Sequence, residues 1–306
     1  MKTQTFLKLK GGKVYTQDRR LLTIYSIGLE CLGQGLGRDS LGIMIDFATA
    51  RRNMVDNQLR PNRVTAPALL QAMLELPRED FVAEAARSIA YVDEDIPLAG
   101  LAQDGARWLL EPMLLARLLQ AADIDKSDVV LEIGCATGYG TAVMSRLAAT
   151  VVAVESDGAL RDLAAANLEK LRIDNVAIIA GELKQGCAAQ GPYGVIVFSG
   201  AIERISENIA GQLAEGGRLV AVLREGASTG LREGASTGLR EGASTGLREG
   251  ASTGSREGAS TGSRASGSVG KAILALRRGG QLSHRVLFDA ETAYLPGLAP
   301  EPAFVF

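Results

Sequence analysis

Apolar residues recur at helical spacing over 45–59 and 66–76, and this periodicity predicts two amphipathic helices near the start of the regular part of the chain. Thr65 precedes the second helix, Pro67 stands in its first turn and Pro77 ends it. A third helix is predicted over 111–122. Beyond it the period changes. Short apolar runs of strand length occupy 129–133, 151–155, 176–180, 195–198, 218–223 and 271–276, and helical stretches at 141–148, 159–171 and 205–214 fill the gaps between them. Strands that are continuously apolar, rather than alternating, predict a parallel sheet covered on both faces. The runs at 218–223 and 271–276 have no helix between them, so they are expected to pair as an antiparallel hairpin.

Two segments lie outside this alternation. Residues 1–43 carry seven basic against three acidic residues and show no regular apolar face. The apolar run after Arg19-Arg20 is diluted by Tyr25 and Ser26, ends at Glu30 and lacks a small-residue cleavage site, so neither a secretory leader nor a membrane span is expected. This segment is read as a disordered or non-native start, with Met44 as the initiator. The second outlier is an octad, Arg-Glu-Gly-Ala-Ser-Thr-Gly-Leu/Ser, repeated five times over 224–263. A unit of eight with two glycines and no apolar stripe cannot stack into a solenoid, so the tract is expected to be a flexible insertion in the turn of the predicted hairpin. What remains is one domain over 44–306, with a helical part at 44–125 and a sheet at 126–306.

Composition narrows the chemistry. The 306 residues are 46% hydrophobic, enough for a full core, and a net charge of -2 offers no global field for gathering polyanions. Nucleic acid and membrane are therefore not expected partners, and the oligomeric state is expected to be a monomer or weak oligomer. Three dispersed cysteines, Cys31, Cys135 and Cys187, argue against a disulfide framework or a zinc site and fit a reducing cytoplasm. The single histidine, His284, falls late in the chain, so chemistry that needs no imidazole is favoured. No metal is expected. Cys135 is read as small packing rather than as a nucleophile.

The informative stretch is 129–140, Val-Val-Leu-Glu-Ile-Gly-Cys-Ala-Thr-Gly-Tyr-Gly, a strand running through an acid into a glycine-rich turn that opens a helix. The dinucleotide pattern G-x-G-x-x-G does not fit, because Ala136 and Tyr139 would occupy its second and third glycines. The spacing of Glu132, Gly134, Ala136 and Gly138 instead resembles the first motif of class I S-adenosylmethionine-dependent methyltransferases, E/D-x-G-x-G-x-G, with Ala136 in place of the middle glycine. Further stretches carry a narrower resemblance: Met54-Val-x-x-Gln-Leu59, Pro77-Arg-Glu-x-Phe-Val82, Ala90-Tyr-Val-Asp93, Gly181, Gly186, Gln212-Leu213 and Gly216-Gly-Arg-Leu-Val220. In order and spacing they are similar to protein-L-isoaspartate O-methyltransferases, over roughly residues 50–225.

That resemblance implies an α/β fold, a seven-stranded Rossmann-like class I methyltransferase sheet with an N-terminal helical extension. It also implies S-adenosyl-L-methionine as cofactor and, as acceptor, the side-chain carboxylate of isoaspartyl residues in damaged proteins or peptides. By the same resemblance Glu132, Gly134, Ala136 and Gly138 form the cofactor turn. Glu155 accepts from the ribose hydroxyls, and Gly181-Glu182 stands where the family has a Gly-Asp pair that meets the adenine amino group. One departure bears on catalysis. Where the family has Thr-Ile-Ser followed by Gln-Pro, this chain has Trp108-Leu109-Leu110 followed by Glu111-Pro112. Trp108 and Leu110 thus occupy the family's hydroxyl positions, and Glu111 would repel an anionic acceptor if it faced the site. Ser199, at the end of the fourth strand, is the remaining candidate for a hydroxyl near the acceptor. The rival readings are a methyltransferase for another acceptor and a catalytically inactive cofactor-binding relative.

Overall fold

The computed structural model describes residues 8–10, 13–15, 45–103, 106–224 and 269–300. The chain divides into two compact units, Met1–Met44 and Ile45–Phe306. In the first, β1 (Lys8–Lys10) pairs antiparallel with β2 (Lys13–Tyr15). The rest of the expected 1–43 extension, and the octad tract 224–263 apart from Arg224, lie outside the described residues.

The second unit opens with α1 (Phe47–Met54), capped by Asp46 Oδ1 accepting from Thr49 N at 3.1 Å and continued by one wider π-type turn, Val55–Leu59. Next comes α2 (Pro67–Glu75), which begins one residue later than expected. Thr65 does not cap it: Gln120 Oε1 accepts from both Thr65 N (2.6 Å) and Ala66 N (3.0 Å). A two-residue hairpin, β3 (Ile96–Pro97) with β4 (Trp108–Leu109), leads into α3 (Pro112–Ala122).

The remaining elements are β5 (Val129–Ile133), α4 (Tyr139–Ser145), β6 (Thr150–Glu155), α5 (Gly158–Lys170), β7 (Val176–Ala180), β8 (Tyr193–Ile202), α6 (Glu207–Gln212), β9 (Leu213–Leu223), β10 (Gly270–Arg278) and β11 (Gln281–Ala290). They build a seven-stranded sheet in the order β11-β10-β9-β8-β5-β6-β7. Five strands, β5 to β9, run parallel, and β9–β10 is the antiparallel pair expected from the missing helix. Together β10 and β11 add an antiparallel edge to the parallel strands. No strand was expected over 281–290, because its positions are largely exposed and no apolar run marks it.

Alternation along the strands sends side chains to two cores. Val130, Val151, Val197, Val220 and Leu274 pack with helices α1–α4, whereas Leu131, Ile133, Val154, Ile196 and Phe198 pack with α6. After β11 the chain returns to the sheet edge where β5, β6 and β8 end. There Ala201 N donates to Ala293 O and Leu295 N to Ala201 O, both at 2.9 Å.

Candidate functional site

The site begins where β5 ends. Gly134, Ala136 and Gly138 all have positive φ, at 82°, 52° and 91°, so the three positions of the motif share a backbone that L side chains resist. Ala136 accepts this strain in place of a glycine, at about 1–2 kcal/mol. The turn is pinned from outside: Thr137 Oγ1 donates to Phe81 O (2.6 Å) and Asn167 Nδ2 to Thr137 O (3.0 Å). Gly138 caps α4 and turns toward α5, where an added methyl would meet Ala164 Cβ at 3.1 Å. Its role in this conformation is the close approach of two helices.

Glu132, at the penultimate position of β5, is buried and accepts from Thr141 Oγ1 (2.5 Å) and Ser199 Oγ (2.6 Å). Burial pushes its carboxyl up to about 7, while the two hydroxyls pull the other way. Gly140 is required beside it, since a methyl there would come within 2.6 Å of Glu132 Oε1. Ser199 does not end its strand, as expected, but lies inside β8. The register with β9 shifts between Val197 and Ala201, a bulge that carries Ser199 to Glu132.

Glu155 closes β6, as expected, and is completely enclosed. Its oxygens accept from Ala136 N (2.8 Å), Ser156 N (2.9 Å) and Asp157 N (3.0 Å). They also take both arms of Arg107, Nη1 at 2.5 Å and Nη2 at 2.8 Å. In this conformation the donors on Glu155, the residue expected to accept from ribose hydroxyls, are the guanidinium and three backbone amides. Leu295 completes the cover. A methyl on Gly134 would lie 2.6 Å from Leu295 Cδ2 and 3.5 Å from Arg107 Nη2.

Trp108, Leu110, Glu132, Gly134, Ala136 and Ser199 thus converge on one void of about 10 Å³. Trp108 is half-buried on β4 opposite Pro97, and Leu110 is buried with its carbonyl accepting from Arg78 Nη2 at 2.6 Å. Gly181 and Glu182 follow β7 and do not line this void; Glu182 is exposed and pairs with Lys184 at 3.3 Å. Burial raises the Cys135 thiol well above its ordinary range, in keeping with a packing role. His284 is exposed on edge strand β11. Glu111 is half-buried, and burial with Asp93, Asp95 and Glu94 nearby raises its carboxyl to about 7. Asp95 itself accepts from Glu111 N (2.8 Å) and Thr292 Oγ1 (2.6 Å).

Arg107 and Leu295 were not found from the sequence. The signal for Arg107 was slight, a basic residue directly before Trp108, and Leu295 belongs to a tail with no periodic pattern. The S-adenosylmethionine implied by the sequence resemblance does not fit this conformation. The backbone cradle has the right chemistry, but a void of about 10 Å³ holds roughly one water, whereas small-molecule pockets span about 300–1,000 Å³.

Residues 50–232 match the family model described as protein-L-isoaspartate(D-aspartate) O-methyltransferase. A protein-L-isoaspartate O-methyltransferase of Koribacter versatilis is 38% identical over 174 residues, 57% of this chain and 76% of that one. Protein-L-isoaspartate O-methyltransferase 1 of Rhodopseudomonas palustris is 36% identical over 57% of this chain and 69% of its own length. Among solved structures, a protein-L-isoaspartate O-methyltransferase superposes with a TM-score of 0.60 at 23% identity, over 81% of this chain and 66% of that chain. A Plasmodium falciparum protein assigned to the same activity, solved with S-adenosyl-L-homocysteine, gives 0.55 at 16% identity, over 79% of this chain and 96% of that one. These two likenesses establish the class I methyltransferase fold.

Proposed function

Because the chain belongs to the protein-L-isoaspartate O-methyltransferase family, we propose that it methylates the side-chain carboxylate of isoaspartyl residues in damaged proteins, with S-adenosyl-L-methionine as donor. The observation that carries this reading is the turn after β5. Gly134, Ala136 and Gly138 hold positive φ between Glu132 and Glu155, at the edge where the parallel strands end. Glu132, Gly134, Ala136 and Glu155 are the residues assigned to the cofactor, with Gly138 supporting the turn; Gly181 and Glu182, which follow β7, are assigned to the adenine by family resemblance alone.

Methylation of a carboxylate asks for no base, since the acceptor is ionised at neutral pH; alignment and exclusion of water carry the rate. That requirement agrees with a site whose titratable groups are buried carboxylates and whose single histidine is remote. Ser199 is the hydroxyl nearest the void, held by Glu132 at 2.6 Å. Among the described residues Cys135 and Cys187 are free thiols, which supports a reducing cytoplasm as the working compartment. No helix among them is long and apolar enough to cross a membrane. The apolar wall of Trp108 and Leu110 favours one second reading, a methyltransferase for a less polar acceptor.

The two readings separate in one assay. The full chain, S-adenosylmethionine and an isoaspartyl peptide should release methanol from the labile ester, with none from the matched aspartyl peptide. Cofactor binding without methanol above the aspartyl control would reject the isoaspartyl acceptor and leave the other acceptor or an inactive cofactor-binding relative.

A further inference from the structure

The geometry points to Arg107 as an internal occupant of the cofactor site, an arginine that locks Glu155 until a nucleoside ligand displaces it. This inference rests on the cofactor reading above. Its basis is the enclosure of a charged pair: the Arg107 and Glu155 side chains are 3% and 0% exposed and meet through two parallel bonds. A guanidinium fork presents two N–H donors to one carboxylate, and the vicinal hydroxyls of a ribose present two O–H donors in much the same span. Both cannot hold Glu155 at once. The three backbone amides on Glu155 would stay in place, because Ala136 N lies in the turn pinned by Thr137 and Asn167, and Ser156 N and Asp157 N lead into α5, whose start Asp157 caps by accepting from Leu160 N at 3.0 Å.

Opening requires little of the fold. The Arg107 backbone is tied to the short hairpin, its carbonyl accepting from Leu98 N at 2.8 Å, so side-chain rotation alone would release Glu155. Leu295 is the second part of the lock. Its backbone is fastened to Ala201, but the atoms lying over Gly134 are the far end of a flexible side chain. A competitor that is built in lowers apparent affinity by the fraction of molecules that are open. The lock makes ligand binding an exchange, and Arg107 its governing residue.

Trp108 supplies a readout independent of activity, because it is the sole tryptophan of the chain and directly follows Arg107. Wild type, Arg107→Gln and Leu295→Ala are titrated with S-adenosyl-L-homocysteine by calorimetry while indole emission is recorded. Either substitution should tighten binding, Arg107→Gln by about tenfold or more if the open form is a tenth of the population or less. Saturating wild type should shift Trp108 emission to the red as its neighbour leaves the wall. Equal affinities in folded variants, with unchanged emission in wild type, would overturn the lock and leave the cofactor reading intact. If Arg107→Gln does not fold, Leu295→Ala and the wild-type emission decide in the same way. Absence of binding to any of the three at millimolar ligand would remove the cofactor reading, and the lock with it.

Discussion

The cradle and the wall that faces it are made in different ways. The cradle, from β5 through the glycine turn to the end of β6, is one contiguous stretch in which backbone demands, positive φ at 134, 136 and 138 and close approach at Gly140, stand between two buried carboxylates, Glu132 and Glu155. The wall gathers Arg107, Trp108, Leu110 and Leu295 from two distant segments, and each contributes a side chain. Backbone demands restrict residue type sharply, so the cradle keeps a recognisable pattern. A wall of packed side chains admits many substitutions of similar volume, and here it is built of an indole, two leucines and the guanidinium of Arg107.

The first expected effect tests the wall. The triple change Trp108→Thr, Leu110→Ser and Glu111→Gln should raise methanol release from isoaspartyl peptide by about tenfold or more, as restored donors align the acceptor. Leu110 is buried, so the same variant should lose about 2–3 kcal/mol on chemical denaturation. Unchanged turnover would mean that the wall does not limit alignment. In the cradle, Gly134→Val combines a φ of 82° with a clash against Leu295. It should cost about 3 kcal/mol or more, or abolish soluble protein; a melting curve like that of wild type would contradict the described turn.

A smaller effect is expected from Glu132→Gln, and it depends on pH. The folded carboxyl is raised to about 7 from an ordinary 4.5, so the native state holds a proton that the unfolded chain releases. Wild-type stability contributed by this group is present at low pH and lost as pH rises from about 4.5 to 7. Relative to wild type the glutamine variant should therefore gain over that window, by at most about 3 kcal/mol; a constant difference in denaturation midpoint would show Glu132 ionised throughout. The smallest effect is Ala136→Gly, which relieves left-handed strain and should stabilise by about 0.5–1 kcal/mol after the entropy of glycine is set against it. A loss of stability would place Ala136 in unstrained backbone.

Most of the sheet was legible because its strands read as apolar runs: 129–133 coincides with the buried central strand β5, and 176–180 with the edge strand β7, which keeps an apolar run though only partly buried. Strand β11 was not, because His284, Arg285 and their neighbours face solvent on an edge and leave no apolar run. In the site the same division holds. Glu132, Gly134 and Ala136 of the motif line one void, and Ser199 of β8 joins them there. The Glu155–Arg107 pair did not show, since joining residues 48 positions apart is a product of the fold rather than of local pattern. Glu182 illustrates the converse: a motif position can be read from sequence while its side chain points to a surface lysine.

The central claim is that Glu155 is a ribose acceptor kept shut by Arg107, and it is tested most directly with the lock already removed. Calorimetric titration of S-adenosyl-L-homocysteine into Arg107→Gln and into Arg107→Gln/Glu155→Gln compares cradles that differ only in the carboxylate. Losing two charge-assisted hydrogen bonds should weaken the double variant by about 2–3 kcal/mol, more than tenfold in dissociation constant. Equal dissociation constants would contradict the account.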